Sequence, residues 1–227
     1  ELNVGYNGTE NFIKGKRFGL FPALSAGWVV SEEEFFPSTN AIPFLKIRGS
    51  YGEVGNDWVG NDRFLYLPTS YTMDGGGGFD IGYWFGEVGV NASKRGSISE
   101  GILGNPDLTW ERSRKINIGI EARLLDDKIS LVGDYFYEKR NNILTRMGTA
   151  PIITGAELPA YNLGIMKNQG FDGELTFRDR ISIFSYWVKG IFTFARNKVL
   201  EMDEVEPRYP YLRATGHPNG QYFGLIA

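Results

Sequence analysis

Cysteine is absent from the 227 residues, and histidine occurs once, at His217. The first absence excludes a disulfide framework, thiolate metal sites and a cysteine nucleophile. The second excludes His-based catalytic triads and multi-histidine metal sites. No apolar run approaches the roughly 18 to 20 residues that a membrane-crossing helix requires, which removes helical membrane proteins and leaves membrane barrels open. Positive charge is not in surplus either. With 24 Lys and Arg against 27 Asp and Glu, the net charge is -3, so the basic footprint of a nucleic-acid binder is missing. The opening Glu1-Leu2-Asn3-Val4 lacks an initiator methionine and any signal-peptide pattern, and the expectation is a chain that begins mid-protein.

What is abundant points to sheet and turn. Aromatics make up 15% of the chain and glycines number 30, a composition that suits β-structure better than a helix bundle. Alternation of apolar and polar residues predicts about seven strands. Leu2, Val4 and Tyr6 share one face of the first. Phe18, Leu20, Pro22, Leu24, Ala26, Trp28 and Val30 line the second, opposite Ala23, Ser25 and Gly27. The third, near Phe44 to Glu53, sets Leu45, Ile47, Gly49 and Tyr51 against Lys46, Arg48 and Ser50. A hairpin follows in which Ile116, Ile118, Ile120, Ala122 and Leu124 oppose Asn117, Gly119, Glu121 and Arg123, and Ile129, Leu131, Gly133, Tyr135 and Tyr137 resume the apolar face. A last pair joins near Asp179-Arg180, with Phe171, Gly173, Leu175 and Phe177 beside Phe184, Tyr186, Val188, Gly190, Phe192 and Phe194. Trp187 and Ile191 break its polar face. Ser31 followed by Glu34 reads as a capping box for a short helical turn.

Connections alternate in length. Those after Leu124 and Arg178 are tight; those after Glu53, Arg140 and Leu200 are long, which places the long loops at one end of the sheet as in outer-membrane barrels. Mid-strand positions of the apolar face carry no charge, whereas Arg48, Glu121, Asp134, Glu174 and Lys189 fall on the other face. A Lys or Arg facing lipid at the midplane costs about 2 to 4 kcal/mol, so a lipid-facing surface must exclude it. A soluble sheet with one face on a core gives the same alternation. Strand length and the aromatics Trp28, Tyr51, Tyr135, Tyr137 and Phe171, expected as an interfacial girdle, favour the membrane reading. The alternatives are a soluble carbohydrate-binding β-sandwich and a secreted glycoside hydrolase.

Four stretches, GKRFGLFPALSAGWVVSEEEFF, LKIRGSYGEVGN, NPDLTWERSRKINIGIEARLLDDKISLVGDYFYEKRNNIL and YPYLRATGHPNGQYFG, occur in that order. Together they resemble the C-terminal half of the barrel in SusC/RagA-type TonB-dependent transporters of Bacteroidota outer membranes. The resemblance implies an all-β fold, a transmembrane antiparallel β-barrel of about 22 strands of which residues 1–227 form a fragment, with the plug domain and remaining strands outside this chain. It also implies location in the cell outer membrane, a SusD-like surface lipoprotein as partner, energy from TonB through a segment not in this chain, and a glycan or peptide as cargo.

No catalytic residue, metal ligand or cofactor site is expected. His217, in TGHPNG, reads as ordering a loop. The runs Glu32-Glu33-Glu34 and Asp203-Glu204-Val205-Glu206 are contiguous rather than paired across a cleft, unlike glycosidase carboxyls. Asn56, Asp57, Asn61 and Asp62 offer oxygen ligands, but the calcium-loop register is missing. Gly75 to Gly78 lack the phosphate-loop pattern and read as a loop tip. The candidate substrate-binding residues are the aromatics of the long loop from about Gly55 to Pro106: Trp58, Tyr66, Tyr71, Tyr83, Trp84 and Phe85. A flat ring with a polar handle can hold the apolar side of a sugar or a peptide side chain.

Overall fold

The structure, a computed structural model, describes the chain apart from residues 38–39, 61–62, 69–70, 74–81, 88–89, 92, 97, 101, 150–157, 223 and 225–227. Within residues 71–100 the strands are described by their backbone, together with the side chain of Phe85. Seven strands form one sheet: β1 Leu2–Gly8, β2 Phe18–Val29, β3 Phe44–Asn56, β8 Glu111–Leu124, β9 Ile129–Arg146, β10 Ala160–Ile181 and β11 Phe184–Glu201. Each pairs antiparallel with its neighbours in chain order. Four short strands lie between β3 and β8: β4 Tyr71–Met73 pairs with β7 Ile98–Glu100, and β5 Gly82–Phe85 with β6 Ser93–Gly96.

Opposed residues of antiparallel strands share a face, so the registers assemble the expected stripes into lateral rows. Leu124, Ile129, Phe177 and Val188 form one row; Ala122, Leu131, Leu175 and Gly190 the next; then Ile120, Gly133, Gly173 and Phe192; then Ile118, Tyr135, Phe171 and Phe194. Their large side chains stand exposed, Ile118 at 56%, Leu175 at 52% and Val188 at 65%. From Ile116 to Leu124 the stripe runs roughly 27 Å along the strand, which a tilted strand brings near the ~25 Å apolar band of an outer-membrane barrel. A sandwich would press these rows against a second sheet. Here they face outward.

The other face carries ion pairs. Arg48 Nη2 lies 2.6 Å from Asp134 Oδ2, Arg48 Nε lies 3.1 Å from Glu121 Oε1, and Lys189 Nζ lies 2.8 Å from Glu174 Oε1.

Several boundaries differ from the sequence reading. The last hairpin turns at Ser182-Ile183 rather than Asp179-Arg180, because Asp179 to Ile181 go on pairing with Tyr186 to Phe184. β9 continues past Arg140 to Arg146 and shortens the following connection. The Ser31 to Glu34 capping box does not form: a 3-10 turn spans Val30–Glu32, begins after Val29 and has no side-chain cap. Gly75 to Gly78 lie outside the described residues.

The tight turn after Leu124 holds Leu125, Asp126 and Asp127 at φ of 54°, 56° and 64°, a left-handed conformation costly for residues with a Cβ. The Leu125 and Asp126 N–H groups donate to the carbonyls of Ala41 and Asn40 at 3.1 and 3.0 Å. The β2–β3 connection thereby braces that turn.

Candidate functional site

The core of the molecule gathers at the long-loop end. Phe12, Phe21, Val59, Leu108 and Trp110 form one buried cluster, with Leu108 fully buried. The Trp110 ring meets Phe12 and Phe21 edge-on at centroid distances of 5.6 and 5.2 Å, a favoured aromatic geometry. This explains the stretch Asn105-Pro106-Asp107-Leu108-Thr109-Trp110. Asn105, itself buried, accepts from the Asp107 N–H at 2.9 Å and donates to the Ala160 carbonyl at 2.9 Å, while Leu108 and Trp110 plug the cluster. Asn162 then bonds Thr109 in both directions, at 3.0 Å each, and donates to the Asn142 carbonyl at 2.8 Å. That clamp sits where the β9–β10 register shifts, satisfying backbone groups that an irregular ladder would leave unpaired.

Beside this cluster lies a recess of about 580 Å³, lined in part by Trp58, Val59, Leu65, Glu111, Arg140 and Leu144. Arg140 Nε sits 3.3 Å from Glu111 Oε1 and Arg140 Nη2 donates to Glu138 Oε1 at 3.2 Å; Ser113 donates to the same oxygen at 2.6 Å. The recess combines an aliphatic wall with an ion-paired one. Sequence reasoning missed these polar residues, because only the β8–β9 register brings Glu111, Ser113, Glu138 and Arg140 together.

Of the six candidate aromatics, Trp58 borders this recess and is 70% exposed, its backbone N–H donating to Asn56 Oδ1 at 3.1 Å. Tyr66 packs edge-on against Phe64, centroids 6.2 Å apart, next to the lining residue Leu65. Phe85 ends β5 with 59% of its surface exposed. Tyr71 begins β4, and Tyr83 and Trp84 lie in β5; their side chains fall outside the described residues.

Three residues of the acidic runs have structural partners. Asp203 accepts from the Thr149 hydroxyl at 2.8 Å. Glu204 accepts from the Ala214 and Thr215 N–H groups at 2.6 and 3.0 Å. Glu33 accepts from the Trp28 indole N–H at 2.8 Å. His217 Nδ1 lies 2.6 Å from the Arg213 carbonyl oxygen, and its own carbonyl accepts from the Val199 N–H at 2.9 Å, docking the returning loop on β11. Asn56 accepts from the backbone N–H of Trp58 and Asp57 from the side-chain amide of Asn11, while Asn61 and Asp62 lie outside the described residues. Among the described residues no group of three or more acidic, His or Cys side chains could hold a metal.

An antiparallel meander with an exposed apolar face, an ion-paired opposite face and long loops gathered at one end has the architecture of the wall of an outer-membrane-type β-barrel. The family model described as "TonB dependent receptor-like, beta-barrel" matches residues 2–224, and the chain belongs to that family. It is 26% identical over 225 residues to TonB-dependent receptor P39 of Formosa agariphila, covering 98% of this chain and 20% of that protein. It is 28% identical over 174 residues to TonB-dependent receptor SusC of Bacteroides thetaiotaomicron, covering 75% of this chain and 16% of the relative. In fold it is similar to a chain of the RagAB peptide importer in its closed-closed state, with a TM-score of 0.73 at 21% identity over 96% of this chain and 22% of that one. The SusC/RagA-type resemblance in the sequence is thus met. The chain spans about a fifth of the length of the curated relatives it matches.

Proposed function

We propose that this chain forms part of the wall of an outer-membrane barrel that imports a nutrient, a glycan or a peptide, in a TonB-dependent manner beside a SusD-like surface lipoprotein. The observation that carries the reading is the division of the sheet into an exposed face whose middle rows are uncharged, fit for hydrocarbon, and a face that carries ion pairs such as Arg48–Asp134 and Lys189–Glu174, fit for a hydrated passage. β1 and β11 each present an edge to which no strand of the main sheet pairs, and in a barrel such edges are taken up by further strands. A plug, TonB contact and the remaining wall are assigned to other parts of the polypeptide. The relatives named as TonB-dependent receptors support transport rather than bond chemistry.

Cargo contact is assigned to the long-loop end, where Trp58 stands over the recess and Tyr66, Tyr71, Tyr83, Trp84 and Phe85 follow in the same connection. The test uses the full polypeptide in the outer membrane. Trp58→Ala and Trp84→Ala should each weaken cargo binding by about tenfold, the loss typical of an interface anchor, while the amount of protein in the membrane stays the same. Unchanged binding would remove that residue from the site. Recovery of the full polypeptide in the soluble fraction would end the wall reading itself.

A further inference from the structure

The outward face carries a second feature, directly above its apolar rows at the long-loop end. The registers place Arg114 opposite Lys139, Lys139 opposite Lys167, and Lys167 opposite Lys198, one cation on each of β8, β9, β10 and β11. At about 4.8 Å per strand the row is roughly 14 Å wide. Arg196 stands one step below in the row that contains Ile116, Tyr137 and Gln169, and the next row down is wholly apolar, with Tyr135, Phe171 and Phe194. Like charges directly opposite one another destabilise a sheet, and here three such pairs follow in succession. Arg114 is compensated by Glu53, whose Oε1 lies 2.8 Å from its Nε. Lys139, Lys167, Arg196 and Lys198 form no ion pair with any described residue, in contrast to Arg48, Arg140 and Lys189 on the opposite face.

The row also has depth. Lys167, Gln169, Arg196 and Lys198 line a recess of about 260 Å³ with Gly216 and Pro218 of the returning loop. Gly216 has a φ of 97°, and a Cβ there would sit 4.0 Å from Lys198 Cε, so the loop passes close over the lysine stem. We infer that this recess and cation row bind the phosphate of a lipid headgroup in the membrane leaflet at the long-loop end. The inference rests on the wall reading, since it requires the apolar rows below to meet the acyl chains of the same lipid. Long basic side chains suit that boundary because their stems pack on apolar surface while their charged ends reach the headgroup layer. A free phosphate ion would satisfy the charges, but the phenyl rings of Phe171 and Phe194, themselves packed at a centroid distance of 5.5 Å, add an apolar platform that only a lipid uses.

The test is a titration of the full polypeptide in detergent with lipid A, with the same lipid after removal of its phosphates, and with inorganic phosphate. At about 1 kcal/mol per surface cation, the double variant Lys167→Gln/Lys198→Gln should bind lipid A about 30-fold more weakly, with the loss shrinking as salt screens the cations. Lys46→Gln, on the opposite face, should leave the affinity unchanged. Wild type should discriminate against the dephosphorylated lipid by a similar factor, and inorganic phosphate at millimolar concentration should not compete. Equal affinity of the double variant and wild type, equal affinity for the two lipids, or full competition by inorganic phosphate would each overturn the inference. Labelling of a Leu175→Cys variant by a water-soluble maleimide in intact membranes would instead break the wall reading, and so separates the two failures.

Discussion

Arg48 on β3 and Asp134 on β9 are joined across the intervening strand, Nη2 to Oδ2 at 2.6 Å, through the space left by Gly119 of β8. A Cβ at position 119 would stand 2.6 Å from Asp134 Oδ1 and 2.8 Å from Arg48 Nε. The glycine is therefore required by a close approach of two side chains, not by backbone conformation. Gly119→Ala should displace the pair and cost about 1 to 2 kcal/mol, the worth of a charged hydrogen bond discounted for partial exposure. Gly49→Ala, whose added methyl would meet only the Asn117 carbonyl oxygen at 3.9 Å, is the control. The full polypeptide should lose its compact, fast-migrating gel band at lower temperature in the first variant only; matching transition temperatures would show that the bridge adds nothing.

The two faces of the sheet should differ in their tolerance of charge. Leu175 lies in the apolar row with Ala122, Leu131 and Gly190, so Leu175→Arg should cost about 2 to 4 kcal/mol near the bilayer midplane and lower the yield of folded protein in the membrane. Asn117→Arg, on the opposite face one row from Gly119, should be accepted. Membrane yield of the two variants checks this, and equal yields would contradict a lipid-facing Leu175.

Much of this architecture was legible because a period of two is a local property. Each stripe from Leu2 to Phe194 can be read from its own strand, and the structure keeps them on a common face except at Val30, which falls in the 3-10 turn after β2 and is buried. The strand ends were less legible. Ser182 turns the last hairpin at φ 55° without the glycine, proline or asparagine that would announce it, and Asp179 and Arg180 resemble turn residues although they still pair. The cation row was hidden for another reason. Lys139, Lys167 and Lys198 are 28 and 31 positions apart in sequence, and only the pairing of β9, β10 and β11 sets them side by side, a relation that the periodicity of a single strand does not report. The same holds for the recess at Trp58. Its aromatic edge was visible in the sequence, but Glu111 and Arg140 meet only through strand pairing.

Trp110 ties the turn after β1, the start of the long loop and the approach to β8 into one apolar cluster. Trp110→Ala should cost about 3 to 5 kcal/mol, the usual penalty for emptying a large aromatic site. Its effect should concentrate at the long-loop end, because the apolar rows below make no use of it. Limited proteolysis of the full polypeptide should then cut sooner within residues 57–110, with cleavage elsewhere unchanged. An unaltered cleavage pattern would show that the cluster does not hold the loop.

The loop after β11 should respond to acid. Glu204 is held below the usual carboxylate range, first by the Thr215 N–H, which outweighs the opposing effect of burial, and further by the Ala214 N–H and the Thr215 hydroxyl; Asp203 is held low mainly by the Thr149 hydroxyl. A carboxyl whose folded pKa lies below its unfolded one stabilises the fold fully above the unfolded pKa, and that contribution fades as pH falls through the folded value. The docked segment from Asp203 to His217 should accordingly be steady at neutral pH and loosen only below the ordinary carboxylate range. Hydrogen exchange at the Ala214 and Thr215 amides, corrected for the intrinsic pH dependence of exchange, should report this as a loss of protection on acidification. In Glu204→Gln protection should be lower at neutral pH, since a neutral amide is the weaker acceptor, and its acid dependence should shrink to the part owed to Asp203. Protection that stays flat through the acid range in the wild type would show that these carboxylates do not hold the loop.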